Sequence, residues 1–206
     1  MFRIALNAGH DRYTPGRRIP ASFDAFETRE WVLNDRICSR VEQKLKKYTG
    51  YELLRVDDKT GQNGISLSTR AKRANQFGAD FYLSVHHNAG VYGGSGGGIM
   101  TFVHPMAQES TQKAQRIFYE ALVRYTGLIG NRANPLSRAD FAELRLTDMP
   151  AVLLECGFMD SSADSAIIKT TAFAEAAAEA ITESLARIGR LPKNTAEQAV
   201  PGKNSL

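Results

Sequence analysis

Residues 80–89 read DFYLSVHHNA, and the placement of this stretch decides the fold. Phe81, Leu83 and Val85 make residues 80–86 an apolar strand suited to burial on both faces, as strands inside a parallel sheet are. Working outward, residues 2–6 alternate apolar and polar and form a first strand, with further strands at 51–56, 99–103 and 151–156. Between them the apolar spacing changes to three and four. A helix is predicted over 27–48, carrying Leu33, Ile37, Val41, Leu45 and Tyr48 on one face, with Thr28 or Asp24 as its cap. Helices follow at 67–77 and at 106–125, where Ile117, Ala121, Leu122 and Tyr125 recur. Two more close the domain, the second near 172–188. Strands alternating with helices specify an α/β fold: a single domain over 1–190 with a mostly parallel twisted sheet of about six strands, flanked by helices on both faces.

The connections are uneven. Residues 11–25 hold two prolines and few apolar side chains, a long loop of the kind that carries function. Residues 93–98 contain five glycines and mark a flexible connector. Residues 127–148 are irregular and polar, with a short strand expected at 142–146. Residues 191–206 turn polar with Pro and Gly breaks and read as a disordered tail or a linker stub.

Bulk composition excludes several function classes. The chain has 206 residues, 43% hydrophobic and 23% charged, with a formal net charge of +4. Its basic residues are scattered rather than blocked, which argues against nucleic acid as a partner. No stretch approaches the roughly 20 apolar residues of a membrane span. Cys38 and Cys156 have no partners at metal-ligand or redox spacing. The N-terminus lacks a long apolar segment, so synthesis in the cytoplasm without a signal peptide is expected.

In open parallel sheets, sites form at the carboxyl ends of strands. His10 follows the first strand, His86 ends the central one, Glu155 nearly ends the last, and Glu30 lies in the first turn of the helix after the long loop. Two imidazoles and one carboxylate are a common ligand set for catalytic zinc, leaving a coordination position for water, while a second carboxylate moves the proton. Each residue also has a plainer account. His10 fits a surface loop, and Glu30 the positive end of a helix. Glu27 lies on the same helix face as Glu30 and rivals it as a ligand. His86 and His87 point to opposite faces, and spacing alone does not say which is the ligand. Glu155 is hardest to dismiss, because an unpaired carboxylate inside Ala-Val-Leu-Leu-Glu-Cys-Gly-Phe costs several kcal/mol. Cys156 should face the other side of that strand as core. Its rival role is a nucleophile with His86 or His10 as base, and a third account of the whole set is a module that grips an anionic polymer, a wall polymer among them, without cutting it.

Four stretches in order resemble the zinc-dependent N-acetylmuramoyl-L-alanine amidases of the amidase 3 type, found in bacterial autolysins and phage endolysins. They are Ile4-Ala5-Leu6-Asn7-Ala8-Gly9-His10, Glu30-Trp31-Val32-Leu33-Asn34, Ser84-Val85-His86-His87-Asn88-Ala89, and the run from Pro150 to Phe158. Arg70, Ala74-Asn75 and Ala79-Asp80 stand in the same register. Where the family has an acidic residue and a proline before Gly-His, this chain has Asn7 and Ala8.

The resemblance implies one zinc ion on His10, Glu30 and His86 rather than His87, with Glu155 as catalytic acid/base and 1–190 as the catalytic domain. It implies peptidoglycan as partner and a cut between N-acetylmuramic acid and L-alanine by a zinc-activated water. Arg145, Asn88 and Arg70 are the candidate substrate-binding residues; Tyr13, Phe23 and Tyr92 lie in flanking loops within reach of sugar or peptide, and ordinary packing is their plainer account. A cytoplasmic chain of this type reaches the wall by phage-type release or acts in a mother cell, and the tail is then the stub of a linker to a wall-binding domain.

Overall fold

The computed structural model describes residues 1–195. Six strands form one sheet: β1 (Phe2–Ala8), β2 (Tyr51–Arg55), β3 (Phe81–Asn88), β4 (Ile99–Val103), β5 (Leu136–Arg138) and β6 (Ala151–Phe158). Their spatial order is β2-β1-β3-β6-β4-β5. β1, β2, β3 and β6 are parallel, and β4 runs antiparallel to β6, carrying β5 parallel to itself. The sheet is thus mostly parallel, and β3 lies inside it with partners on both edges. That is why its side chains are buried from Phe81 to His87.

Helices cover the two faces unequally. One face carries α1 (Glu30–Lys44), α3 (Glu109–Thr126) and α6 (Thr171–Gly189). Ile4, Leu6, Leu83, Val85, Leu154 and Cys156 meet Leu33, Ile37, Phe118, Leu122 and Ile181 there in one large apolar cluster. The other face carries α2 (Leu67–Phe77) and the single turn α4 (Ala142–Arg145), where Ala5, Tyr82 and Leu153 meet Ala74 and Leu144 in a smaller one. A short helix α5 (Ser165–Ile168) links β6 to α6. Helix ends follow local chemistry: the Ser66 hydroxyl accepts the Thr69 N–H to start α2, and Gly78 closes it at φ 64°.

Several boundaries differ from the sequence expectation. Of the segment 142–146, residues Ala142–Arg145 form a helical turn, and the short strand lies upstream at Leu136–Arg138. A three-residue strand at a sheet edge leaves no periodicity to read. The first helix starts at Glu30 rather than 27, because Glu27 adopts φ 46°, a left-handed value. Neither Thr28 nor Asp24 caps it. Asp24 instead accepts the Thr28 and Phe26 amides in the loop, and Arg29 holds the cap position without a side-chain bond. β1 continues through Asn7 and Ala8, and β3 through Asn88, because neighbouring strands pair with them. Leu191 is buried, and Lys193 forms a β-bridge with Tyr48, so the chain stays packed beyond 190. The rest of the expected tail, 196–206, lies outside the described residues.

Candidate metal centre

β1 delivers its last residues beside β3. The Gly9 N–H donates to Val85 O at 3.0 Å, and the His86 ring lies directly over Gly9. A Cβ at position 9 would sit 2.0 Å from His86 Cε1, so only glycine lets the ring lie here. His10 then turns at φ 65°, a strained value for a residue with a side chain. Arg70 of α2 holds that turn: its Nη1 donates to Asn7 Oδ1 and Ala8 O, and its Nη2 to His10 O, each at 2.7 Å.

Glu30 enters from the start of α1, 1% exposed. Its N–H donates to Arg17 O at 2.9 Å, which ties the helix start to the long loop. Its Oε1 lies 3.1 Å from His86 Nδ1 and accepts the His87 N–H at 3.2 Å, while its Oε2 lies 3.3 Å from His10 Nε2. Donor atoms of His10, Glu30 and His86 all fall within 4.8 Å of one another. A tetrahedral ion with bonds near 2.05 Å sets its ligands about 3.3 Å apart, so these separations suit zinc. Glu30 Oε2 is also buried without a hydrogen-bond partner among the described residues, as a ligand awaiting a cation would be.

Neighbouring residues separate cleanly. His87 points to the opposite face, its Nδ1 2.8 Å from Asn34 Oδ1 and its ring near Phe173 of α6. Asn34 in turn donates to Gly9 O at 3.1 Å, which explains an asparagine one turn after Glu30. Glu27 stands apart, ion-paired with Arg18 at 2.9 Å near the surface, so Glu30 is the helix carboxylate in the cluster.

Glu155 is the register partner of His86 on β6, so the two side chains share a face. Burial pushes its carboxyl up to about 8, with the charge of Glu30 adding and those of His86 and Arg17 opposing. Its Oε2 is buried without a partner among the described residues. Burial lowers His10 to about 4. Burial also works against charge on His86, but the flanking Glu143 and Glu30 outweigh it and lift the group to about 10. For Glu30, burial works upward, and His86 and His10 outweigh it, holding the carboxylate at about 2. Two carboxylates around one imidazole require a positive charge, which a proton or a metal ion supplies.

Other candidates are distributed differently. Asn88 ends β3 beside the cluster, its Oδ1 accepting the Ala89 N–H. Arg70 is buried, and its guanidinium is committed to backbone and Asn7, so its influence runs through the His10 turn. Arg145 lies on the solvent side of α4, paired with Asp140 at 2.7 Å and not with the cluster. Tyr13 donates its hydroxyl to Gln62, Phe23 packs against the large core, and Tyr92 is 92% exposed at φ 50°. Cys156 is wholly buried in the large apolar cluster, away from His86, and burial pushes its thiol up. Both facts remove it as a nucleophile.

Two residues of the site gave no sign in the sequence. Arg17 sits in the long loop, and its charge reaches both His10 and Glu155. Glu143, in α4, is 2% exposed and lies 3.5 Å from His86 Nε2. An isolated glutamate in an irregular polar stretch has no periodicity to mark it.

Residues 4–187 match the amidase 3 family, described as N-acetylmuramoyl-L-alanine amidase. Among curated proteins, the N-acetylmuramoyl-L-alanine amidase CwlM of Bacillus licheniformis is 31% identical over 198 residues, covering 95% of this chain and 72% of that protein. An endolysin of Bacillus phage SPP1 is 30% identical over 196 residues, covering 95% and 69%. The crystal structure of an N-acetylmuramoyl-L-alanine amidase from Clostridium difficile 630 superposes with a TM-score of 0.80 at 25% identity, covering 90% of this chain and 95% of that one.

Proposed function

The chain belongs to the N-acetylmuramoyl-L-alanine amidase family, and from that premise we propose that one zinc ion is held by His10, Glu30 and His86 while Glu155 moves the proton. The reaction is hydrolysis of the peptidoglycan amide between N-acetylmuramic acid and the L-alanine of the stem peptide. The zinc assignment rests on the convergence of three donors from the turn after β1, from α1 and from β3 within 4.8 Å.

Bound there, zinc supplies a Lewis acid for the amide carbonyl and lowers the pKa of water. The chain supplies the rest. Glu155 stands beside His86 with a free carboxylate oxygen, placed to take a proton and give it back. It accepts the proton of the attacking water and returns it to the alanine nitrogen as the C–N bond breaks, leaving a muramyl carboxylate and a free amine. Gly9 and Arg70 keep His10 and His86 in place. Arg17, in the long loop, adds positive charge that reaches both His10 and Glu155.

Purified sacculi incubated with the zinc-loaded protein should yield new N-terminal L-alanine, and a chelator should stop its release. Release that survives metal removal would defeat the zinc assignment. Cleavage of short wall peptides lacking muramic acid would defeat the bond assignment. No described helix is long and apolar enough to cross a membrane. We propose that the enzyme reaches the wall by phage-type release or works within a mother cell. The first route gains from the likeness to an endolysin, and a wall-binding domain after the tail would serve either.

A further inference from the structure

We propose that Glu143 is the positioning residue of this metal centre: its carboxylate accepts the Nε2–H of His86 and thereby turns the Nδ1 lone pair toward Glu30 and His10. The inference rests on the zinc reading above.

A neutral imidazole has one N–H and one lone pair, and the partner of one nitrogen decides which nitrogen is free to bind a metal. In His86 the two nitrogens face different carboxylates. Nδ1 lies 3.1 Å from Glu30 Oε1, on the side of the donor cluster, and Nε2 lies 3.5 Å from Glu143 Oε2. Nε2 is buried without a hydrogen bond among the described residues, so Glu143 is the acceptor within reach of its proton.

Glu143 is itself anchored. Its Oε1 accepts from Asn7 Nδ2 at 2.9 Å and its Oε2 from the Ser84 hydroxyl at 2.7 Å. Asn7 is oriented by Arg70, which donates to its Oδ1 at 2.7 Å. Thr147 Oγ1 donates to Glu143 O at 2.9 Å and pins the turn that carries the side chain. Each carboxylate oxygen thus has a fixed donor, and the group cannot rotate away from His86. The same chain of bonds links the segments bearing both histidines: Asn7 lies on β1, just before the turn that carries His10, and Ser84 shares a face with His86 on β3. Glu143 stands on the far side of the ring from Glu30, which separates its role from that of a ligand. Such outer partners of metal-binding histidines typically govern 10–100-fold in metal affinity.

The test uses metal-free protein titrated with zinc alone against a chromophoric chelator, and ¹⁵N spectra of the zinc-loaded, histidine-labelled protein to read which His86 nitrogen keeps its proton. Glu143→Ala should weaken zinc binding by about 10–100-fold and mix the tautomers. Glu143→Gln, which keeps one acceptor oxygen, should fall between it and the wild type. Ser84→Ala leaves the carboxylate in place but unlocks it, and should give a smaller loss of the same kind, serving where Glu143→Ala does not fold. Unchanged zinc affinity with an unchanged Nε2–H tautomer in Glu143→Gln and Ser84→Ala would overturn the proposal and leave the zinc reading intact. A wild type that binds no zinc would overturn both.

Discussion

His86 and His87 are neighbours in the chain, yet the two faces of the sheet they enter treat an imidazole in opposite ways. His87 enters the thick side, under α1 and α6, among apolar side chains with Asn34 as its polar contact. Burial there lowers its pKa to about 4, and the ring stays neutral. His86 is buried too, but its face holds Glu30, Glu143 and Glu155, and its pKa rises to about 10. Glu155 and Cys156 repeat the division one strand over, acid on the polar side and thiol in the core. Depth alone therefore does not make a site. The number of charged groups sharing the low dielectric decides whether a buried group is inert or drawn to a cation.

The comparison can be broken most severely at the histidines. His86→Ala should abolish zinc binding and activity, while His87→Ala should retain zinc and lose mainly stability, on the order of 1–3 kcal/mol. Metal analysis beside thermal unfolding checks both, and equal zinc loss in the two would erase the distinction. Glu155→Gln should keep the metal and slow amide cleavage by about 10²–10⁴-fold, measured as alanine amine release.

A pH series sharpens the contrast further. The raised pKa of Glu155 means that the folded metal-free protein holds its proton more tightly than the unfolded chain does. That contribution is complete below the ordinary value of 4.5 and is lost as pH rises toward about 8. Glu155→Gln should therefore stabilise metal-free protein relative to wild type at pH 9 but not at pH 4, by on the order of 1–2 kcal/mol in denaturant melts. An equal difference at both pH values would show that burial does not set this group. The smallest effect belongs to the thick face. Cys156→Ser should leave cleavage intact and cost about 1–3 kcal/mol, because it places a hydroxyl in an apolar cluster.

Legibility followed the strength of the local pattern. β3 and β6 stand out because continuous apolar runs with an embedded histidine or glutamate are rare and costly. α1 was legible in its body but not at its start. The loop closed by Asp24 and the left-handed Glu27 delays the helix to Glu30, and that delay is what separates Glu30 from its rival. α4 is a helical turn where the sequence predicts a strand, and Glu143 lies within it. A single helical turn is held by tertiary bonds to Asn7 and Ser84 rather than by its own sequence.

By itself the chain of residues determined the layered α/β plan, the strands that end at the site, and the identity of the groups suited to metal and proton work. Those are consequences of period, burial cost and ligand chemistry, all local. Only the folded structure decided which way each imidazole faces, which of two helix carboxylates reaches the cluster, and which partner turns the His86 ring. The His86 contacts join residues more than 50 positions apart, and the choice of carboxylate follows from a loop conformation with no periodic signal.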